Sequence, residues 1–229
     1  WETTSGAGIG VAVLDSGIQG THEDLPSLAG GISTIDSSAY NTDENGHGTH
    51  VGGIVAAQVN NVGVVGTGPG VDLYSVKVLN SAGSGSVSSI IAGIDWAVEN
   101  HVHIISMSLG TTEYSASLKN ACDAAYAAGH LVIAAAGNSG NLSGTGTNME
   151  YPAMFDSVIA VGATDSADGR ASFSSTGDQL ELMAPGDSIL STYPDNSLGS
   201  LVSMEDDAYY YEMSSAYLVG TGVGSVSGP

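Results

Sequence analysis

A chain of 229 residues is long enough for one domain with a sizeable core, and 42% hydrophobic residues are too many for a disordered polymer. Lys77, Lys119 and Arg170 stand against 24 acids, a formal net charge of -21, which excludes nucleic acid as a partner and suits a soluble secreted or salt-adapted protein. No apolar run approaches a membrane span, and the single cysteine, Cys122, excludes an internal disulfide framework.

Short apolar runs alternate with helical patterns along the chain. Val11–Leu14 reads as a buried strand, and residues 47–58 as a helix rich in small side chains. Leu73–Leu79 reads as a strand. Residues 86–99 follow as a helix with Val87, Ile90, Ile91, Ile94 and Val98 on one face. Ile104–Leu109 reads as a strand and Ser115–Ala128 as a helix ended near Gly129. Cys122 shares the apolar stripe of that helix with Leu118 and Ala125, which marks it as a small buried hydrophobe and not a reactive thiol. Leu131–Ala136 and Val158–Gly162 complete the strands. This alternation predicts an α/β fold, a mostly parallel sheet with helices on both faces in three layers. Ligands of such sheets sit outside the carboxyl ends of the strands, which singles out Asp15, Asn138 and Ser108–Gly110. The composition changes after about Leu198, where Glu205–Asp207 precede Tyr209–Tyr211 and a Gly/Ser/Val tail.

Chemistry concentrates in three segments: Val-Ala-Val-Leu-Asp15-Ser-Gly, Asn-Gly-His47-Gly-Thr-His-Val and Ala-Ala-Ala-Gly-Asn138-Ser-Gly. Asp15 at the end of a buried strand suits a fixed carboxylate, and Gly46 and Gly48 leave the His47 ring unshielded. Alone, Asp-Ser-Gly is turn chemistry and Gly-Asn-Ser-Gly is a left-handed turn. Taken in order with Val76-Lys-Val-Leu79, Gly83-Ser-Gly85, Ser106-Met-Ser-Leu-Gly110, Tyr151-Pro-Ala153 and Ala184-Pro-Gly186, they resemble the subtilisin-like serine proteases over residues 1 to 195. The resemblance implies a serine endopeptidase in which Asp15 orients His47, His47 takes the proton of a serine, and the Asn138 amide receives the oxyanion.

The same resemblance implies a polypeptide substrate lying as an extended strand between Gly83-Ser84-Gly85 and Ser108-Leu109-Gly110. Ala135, Gly137 and Gly110 would wall the pocket for the side chain before the scissile bond. Their small size implies a roomy apolar pocket and broad specificity. A structural calcium ion is implied at Asp24 and Asn61, in a loop one residue shorter than the family pattern. A folding propeptide, secretion and a monomeric state are implied as well, with no organic cofactor, no nucleic acid and no membrane.

The match breaks after Ala184-Pro-Gly186. No Gly-Thr-Ser-Met-Ala segment follows. Aligned on Tyr211-Glu-Met-Ser214, the nucleophile's slot holds Tyr217; aligned on Gly220-Thr-Gly222, it holds Gly222. Ser214 and Ser215 lie nearby without the flanking pattern. The expectation is a peptidase core over 1–195, a divergent or disordered tail over 196–229, later helices and an N-terminal piece absent, and no turnover by these residues alone. The alternative is a catalytically dead, peptide-binding member. Zinc at His47 and His50 lacks the glutamate of a His-Glu-x-x-His site, so His50 is expected to pack beside the active helix. His101 and His103 read as surface residues. A dinucleotide-binding reading of Gly6, Gly8 and Gly10 fails on order, because these glycines precede the strand they should follow.

Overall fold

The computed structural model describes residues 4–35, 37–200 and 224–227. The elements in chain order are β1 (Gly10–Asp15), β2 (Gly30–Ser33), α1 (His47–Ala56), β3 (Asp72–Lys77), β4 (Ser84–Ser86), α2 (Val87–Glu99), β5 (Ile104–Met107) and β6 (Leu109–Gly110). They continue as α3 (Ala116–Ala127), β7 (Leu131–Ala135), β8 (Ile159–Thr164), β9 (Leu180–Pro185), β10 (Leu190–Tyr193), β11 (Ser197–Ser200) and β12 (Gly224–Ser227). Among the described residues no helix is long and apolar enough to cross a membrane.

Seven strands form one parallel sheet in the order β2-β3-β1-β5-β7-β8-β9. Strand β1 serves both faces by alternation. Ala12 and Leu14 pack with Ile90 and Ile94 of α2 and with Leu118, Cys122 and Ala125 of α3. Val11 and Val13 pack with Val51 and Val55 of α1 on the opposite face. Each large apolar side chain removed from water contributes about 1.5–3 kcal/mol, so these two clusters hold the three layers together. The buried face of α2 is Val87, Ile90, Gly93, Ile94 and Ala97, with Ile91 and Val98 only half-buried at its flanks. The small residues Gly93 and Ala97 let the helix approach the sheet, since a Cβ on Gly93 would stand 2.7 Å from Val78 Cγ1.

Local chemistry sets the helix ends. Ser86 caps α2 by accepting from Ser89 N at 3.1 Å, and Ser115 caps α3 by accepting from Leu118 N at 3.3 Å. Gly129, at φ 96°, turns the chain after α3.

Two departures from the sequence reading concern strand limits. The run Ile104–Leu109 is not one strand: β5 stops at Met107, and Leu109–Gly110 leaves the main sheet as β6. Regular structure also continues past residue 195. Strands β10 and β11 form an antiparallel hairpin that docks on α1, with Ser191 Oγ and Thr192 Oγ1 donating to the carbonyls of His50 and Thr49, each at 2.8 Å. The packed unit therefore extends through the hairpin. Residues 201–223, which hold Ser214, Ser215, Tyr217 and Gly222, lie outside the described residues.

Candidate active site

From β1 the chain crosses to the outer strand β2, comes back through β3 and then passes to β5 on the other side of β1, so the sheet's switch point lies between β1 and β5. Asp15 is the last residue of β1 and is fully buried. Its Oδ1 accepts from Ser16 N at 2.7 Å and stands 2.7 Å from His47 Nδ1. With the carboxylate as acceptor, Nδ1 carries the proton and Nε2 carries the lone pair.

His47 is the first residue of α1, whose N-cap, Gly46, has no side chain to offer. The capping acceptors come from outside the helix. Asn45 Oδ1 accepts from His47 N at 3.1 Å, Ser16 Oγ from Gly48 N at 3.0 Å, and Asp43 Oδ2 from Thr49 N at 2.9 Å. The Asp43 carboxylate, 5% exposed, also accepts from Ser16 Oγ, Asn45 N, Gly46 N and Thr49 Oγ1 at 2.7–3.1 Å. This one side chain welds the end of β1 to the first turn of α1 and so fixes the imidazole. Gly48 is needed there, because a Cβ would meet Gly17 O at 2.1 Å.

Below the pair, Lys77 is 1% exposed and donates from Nζ to Ser16 O at 2.7 Å and to Glu44 Oε2 at 2.6 Å. Burial works against the imidazolium of His47, but the charge and hydrogen bond of Asp15, aided by Asp43, outweigh it and hold its pKa above the ordinary value. His50, fully buried, has Nε2 within 3.0 Å of Ile189 O and 3.1 Å of Gly199 O. Burial, with the neighbouring His47, pushes its pKa down to about 4, so it stays neutral. Burial pushes the Cys122 thiol up to about 12, which leaves no thiolate.

Asn138 follows β7, two strands from β1 and so roughly 10 Å across the sheet. It is half-buried after Gly137, whose φ of 111° turns the chain. Ser175 N donates to Gly137 O and Ser139 N to Ser175 Oγ, both at 3.0 Å, so the turn is pinned. Asp15, Ser108 and Asn138 thus cap three adjacent strands.

The two groove edges form a second sheet. Strand β4 carries Ser84 and Gly85, β6 is Leu109–Gly110, and β12 lies between them, parallel to both. Ser225, Val226 and Ser227 pair with Ser84, Gly85 and Ser86, while Gly224 and Ser225 pair with Leu109 and Gly110. Gly83, at φ 69°, makes the turn into β4, and a Cβ on Gly85 would strike Val78 O at 2.2 Å. Ala135 and Gly137 are buried, at and just after the end of β7, which packs against β6.

Asp24 and Asn61 lie apart from the pair, at the loop after α1. Asp24 is fully buried, its Oδ2 accepts from Val64 N at 2.8 Å, and its Oδ1 has no partner among the described residues. Asn61 is exposed with φ 67°. An orphaned buried carboxylate oxygen is what a hard cation would satisfy, and the shortened loop still wraps Asp24 because Gly63 passes its carboxylate too closely for a Cβ. Among the described residues no three His, Cys, Asp or Glu side chains converge as a metal cluster, so further oxygens would have to be backbone carbonyls.

A buried carboxylate-imidazole pair thus lies at the switch point of a parallel sheet whose second, smaller sheet holds an extended segment between two strand edges. The subtilase family matches residues 6–217. Subtilisin DY of Bacillus licheniformis is 55% identical over 196 residues, 86% of this chain and 71% of that protein. Subtilisin Savinase of Lederbergia lenta is 48% identical over 86% of this chain and 71% of its own length. An alkaline protease of Alkalihalobacillus alcalophilus is also 48% identical, over 86% of this chain and 50% of its own length. The chain belongs to the subtilase family and is by family a serine endopeptidase.

Sequence reasoning missed Asp43 and Lys77. Asp43 left one signal, an acid four residues before a histidine at a helix start. Lys77 left another, a cation between Val76 and Val78 in a chain with three basic residues.

Proposed function

We propose that Asp15, His47 and a serine form the charge-relay triad of this endopeptidase, with the Asn138 side-chain amide donating to the oxyanion. The observation that carries the reading is the 2.7 Å buried contact between His47 Nδ1 and Asp15 Oδ1. With Nδ1 committed, Nε2 can accept a hydroxyl proton and return it to the leaving amine. The carboxylate accepts from Nδ1 and stabilises the imidazolium formed in between. The helix caps supplied by Asp43, Ser16 and Asn45 keep the ring in one place, so no reorganisation is needed at the moment of attack. Loss of an oxyanion donor like Asn138 lowers the rate about 100- to 1000-fold, a magnitude established on a subtilisin itself.

Peptide substrates would add a strand between β4 and β6. The segment Gly224–Ser227 pairs in parallel with both edges, which supports a peptide backbone lying there in the same way. Ala135, Gly137 and Gly110 would wall the pocket before the scissile bond and leave room for large side chains. Asp24 and Asn61 would hold a calcium ion that stiffens the loop around Asp24 and takes no part in the chemistry. Synthesis with a propeptide and action outside the cell are what the family leads one to expect, and a monomer is proposed with them.

The present 229 residues are expected to bind peptides without turning them over, since no Gly-Thr-Ser-Met-Ala segment follows Ala184-Pro-Gly186. Incubating the purified chain with casein and a chromogenic peptide tests this. Hydrolysis blocked by a fluorophosphonate, with one labelled serine, would overturn the inactivity while securing the triad.

A further inference from the structure

Glu150 is a carboxylate that the reaction does not use. Its backbone N donates to Ala136 O at 3.0 Å, and the next residue, Tyr151, exchanges both backbone hydrogen bonds with Thr111 at 2.9 Å. Residue 150 therefore joins the wall built by 135–137 to the wall that continues from Gly110 into Thr111. Its side chain lies over Gly137, where a Cβ would stand 3.1 Å from Glu150 Cγ and 3.2 Å from Cδ.

The carboxylate is half-buried and accepts one hydrogen bond, from Ser139 Oγ at 3.3 Å. Asp43, the comparable buried acid, accepts from five donors. Among the described residues no lysine or arginine neutralises Glu150. All three lysine and arginine residues are engaged elsewhere: Lys77 with Glu44, Lys119 with Asp123, and Arg170 with the carbonyls of Asn141, Ala171 and Ser174. Burial accordingly raises its pKa above the ordinary carboxylate value. A half-desolvated acid with one weak hydrogen bond and no counter-charge is costly in isolation and is stabilised by a cation delivered to it.

We propose that Glu150 determines specificity: it closes the pocket that receives the side chain before the scissile bond and makes that pocket favour lysine and arginine over uncharged side chains of the same length. The proposal rests on the peptidase reading of the groove. It narrows the broad, apolar preference implied by the small wall residues, because a chain long enough to cross that roomy pocket ends at a carboxylate. One charge-assisted hydrogen bond in a partly desolvated site corresponds to a preference of about 10- to 100-fold.

The test is fluorescence anisotropy of the full 229-residue chain with labelled Ala-Ala-Ala-X amides, where X is lysine, arginine, norleucine or phenylalanine. A fifth peptide, Lys-Ala-Ala-norleucine amide, carries the same charge away from X and controls for attraction to a chain of net charge -21. Every peptide competes with the same internal strand β12, so that competition cancels in the ratios. Lysine and arginine at X should bind at least about 10-fold tighter than either norleucine peptide. In Glu150→Gln, checked for an unchanged circular-dichroism melt, that advantage should vanish while phenylalanine binding persists. Equal affinities for lysine and norleucine at X, or an advantage that survives Glu150→Gln, would overturn the proposal and leave the groove reading standing. Failure of every peptide to bind would overturn both.

Discussion

Replacing Asp43 with alanine isolates the device that holds His47. The carboxylate is buried and accepts from three backbone N–H groups and two hydroxyls. One of those N–H groups belongs to Thr49 in the first turn of α1, and losing such a cap costs about 1 kcal/mol. Each further buried donor left without an acceptor costs about 1–3 kcal/mol, less where water can enter the space the side chain vacates. A total of about 3–6 kcal/mol follows, a large share of the 5–15 kcal/mol that stabilises a typical domain. For a chain of this size each kcal/mol lowers Tm by about 2–4 °C, so a fall of roughly 10 °C or more is expected by calorimetry. The His47 titration should also move down, because Asp43 is among the charges that raise it. A Tm loss under about 3 °C with an unmoved His47 midpoint would refute the capping argument.

The His47 titration can be read directly from its imidazole proton resonance, assigned by loss of the signal in His47→Gln. Its folded pKa is raised, so the charged pair adds stability that is complete below the ordinary value of about 6.5 and is lost as pH rises through the elevated midpoint. Above that midpoint the imidazole is neutral, the form that the proposed general base requires. In Asp15→Asn the midpoint should fall, and a wild-type midpoint below 6.5 would contradict the geometry. Gly53→Ala should cost about 1–3 kcal/mol in urea unfolding, since its Cβ would lie 2.2 Å from Thr192 Oγ1 and 2.4 Å from Ser191 Oγ; a neutral result would mean the hairpin does not dock on α1 as described. Calcium should raise Tm and magnesium should not, with the rise lost in Asp24→Asn; identical melts with and without calcium would dismiss the ion. Val226→Pro removes the backbone donor of a residue paired with Gly85, so peptides should bind about 3- to 10-fold tighter; unchanged affinity would show that β12 does not compete for the groove.

Which parts of the molecule were legible follows from what a residue's neighbours in sequence can reveal. Strands β1, β3, β5, β7 and β8 announce themselves because helices cover both faces and most positions are apolar, with Ser75, Lys77 and Ser106 as buried exceptions. Strand β2, Gly-Gly-Ile-Ser, is an edge strand with half-buried positions, and β9 has exposed Glu181, Leu182 and Met183, so neither shows a buried run nor a clean alternation. The break at Ser108 was hidden for a different reason. Apolar residues continue across it, but the backbone there exchanges main-sheet partners for groove partners, which composition does not encode.

The site divides in the same way. Asp15 and His47 were readable because their flanking glycines and strand or helix ends are local features. Asp43, Lys77 and Glu150 act across the fold: Asp43 reaches Ser16 from 27 residues away, Lys77 reaches the Ser16 carbonyl from 61, and Glu150 bridges two walls that meet only after β7 and β6 are in place. Their residue types are ordinary, and their meaning comes from burial in a chain that offers each acid few cations. With three basic residues against 24 acids, a buried acid here must be satisfied by N–H groups, as Asp43 is, by a metal ion, as proposed at Asp24, or by a cation that arrives with the substrate, as proposed at Glu150. The scarcity of lysine and arginine therefore turns each incompletely satisfied buried carboxylate into a pointer to something the chain does not itself contain.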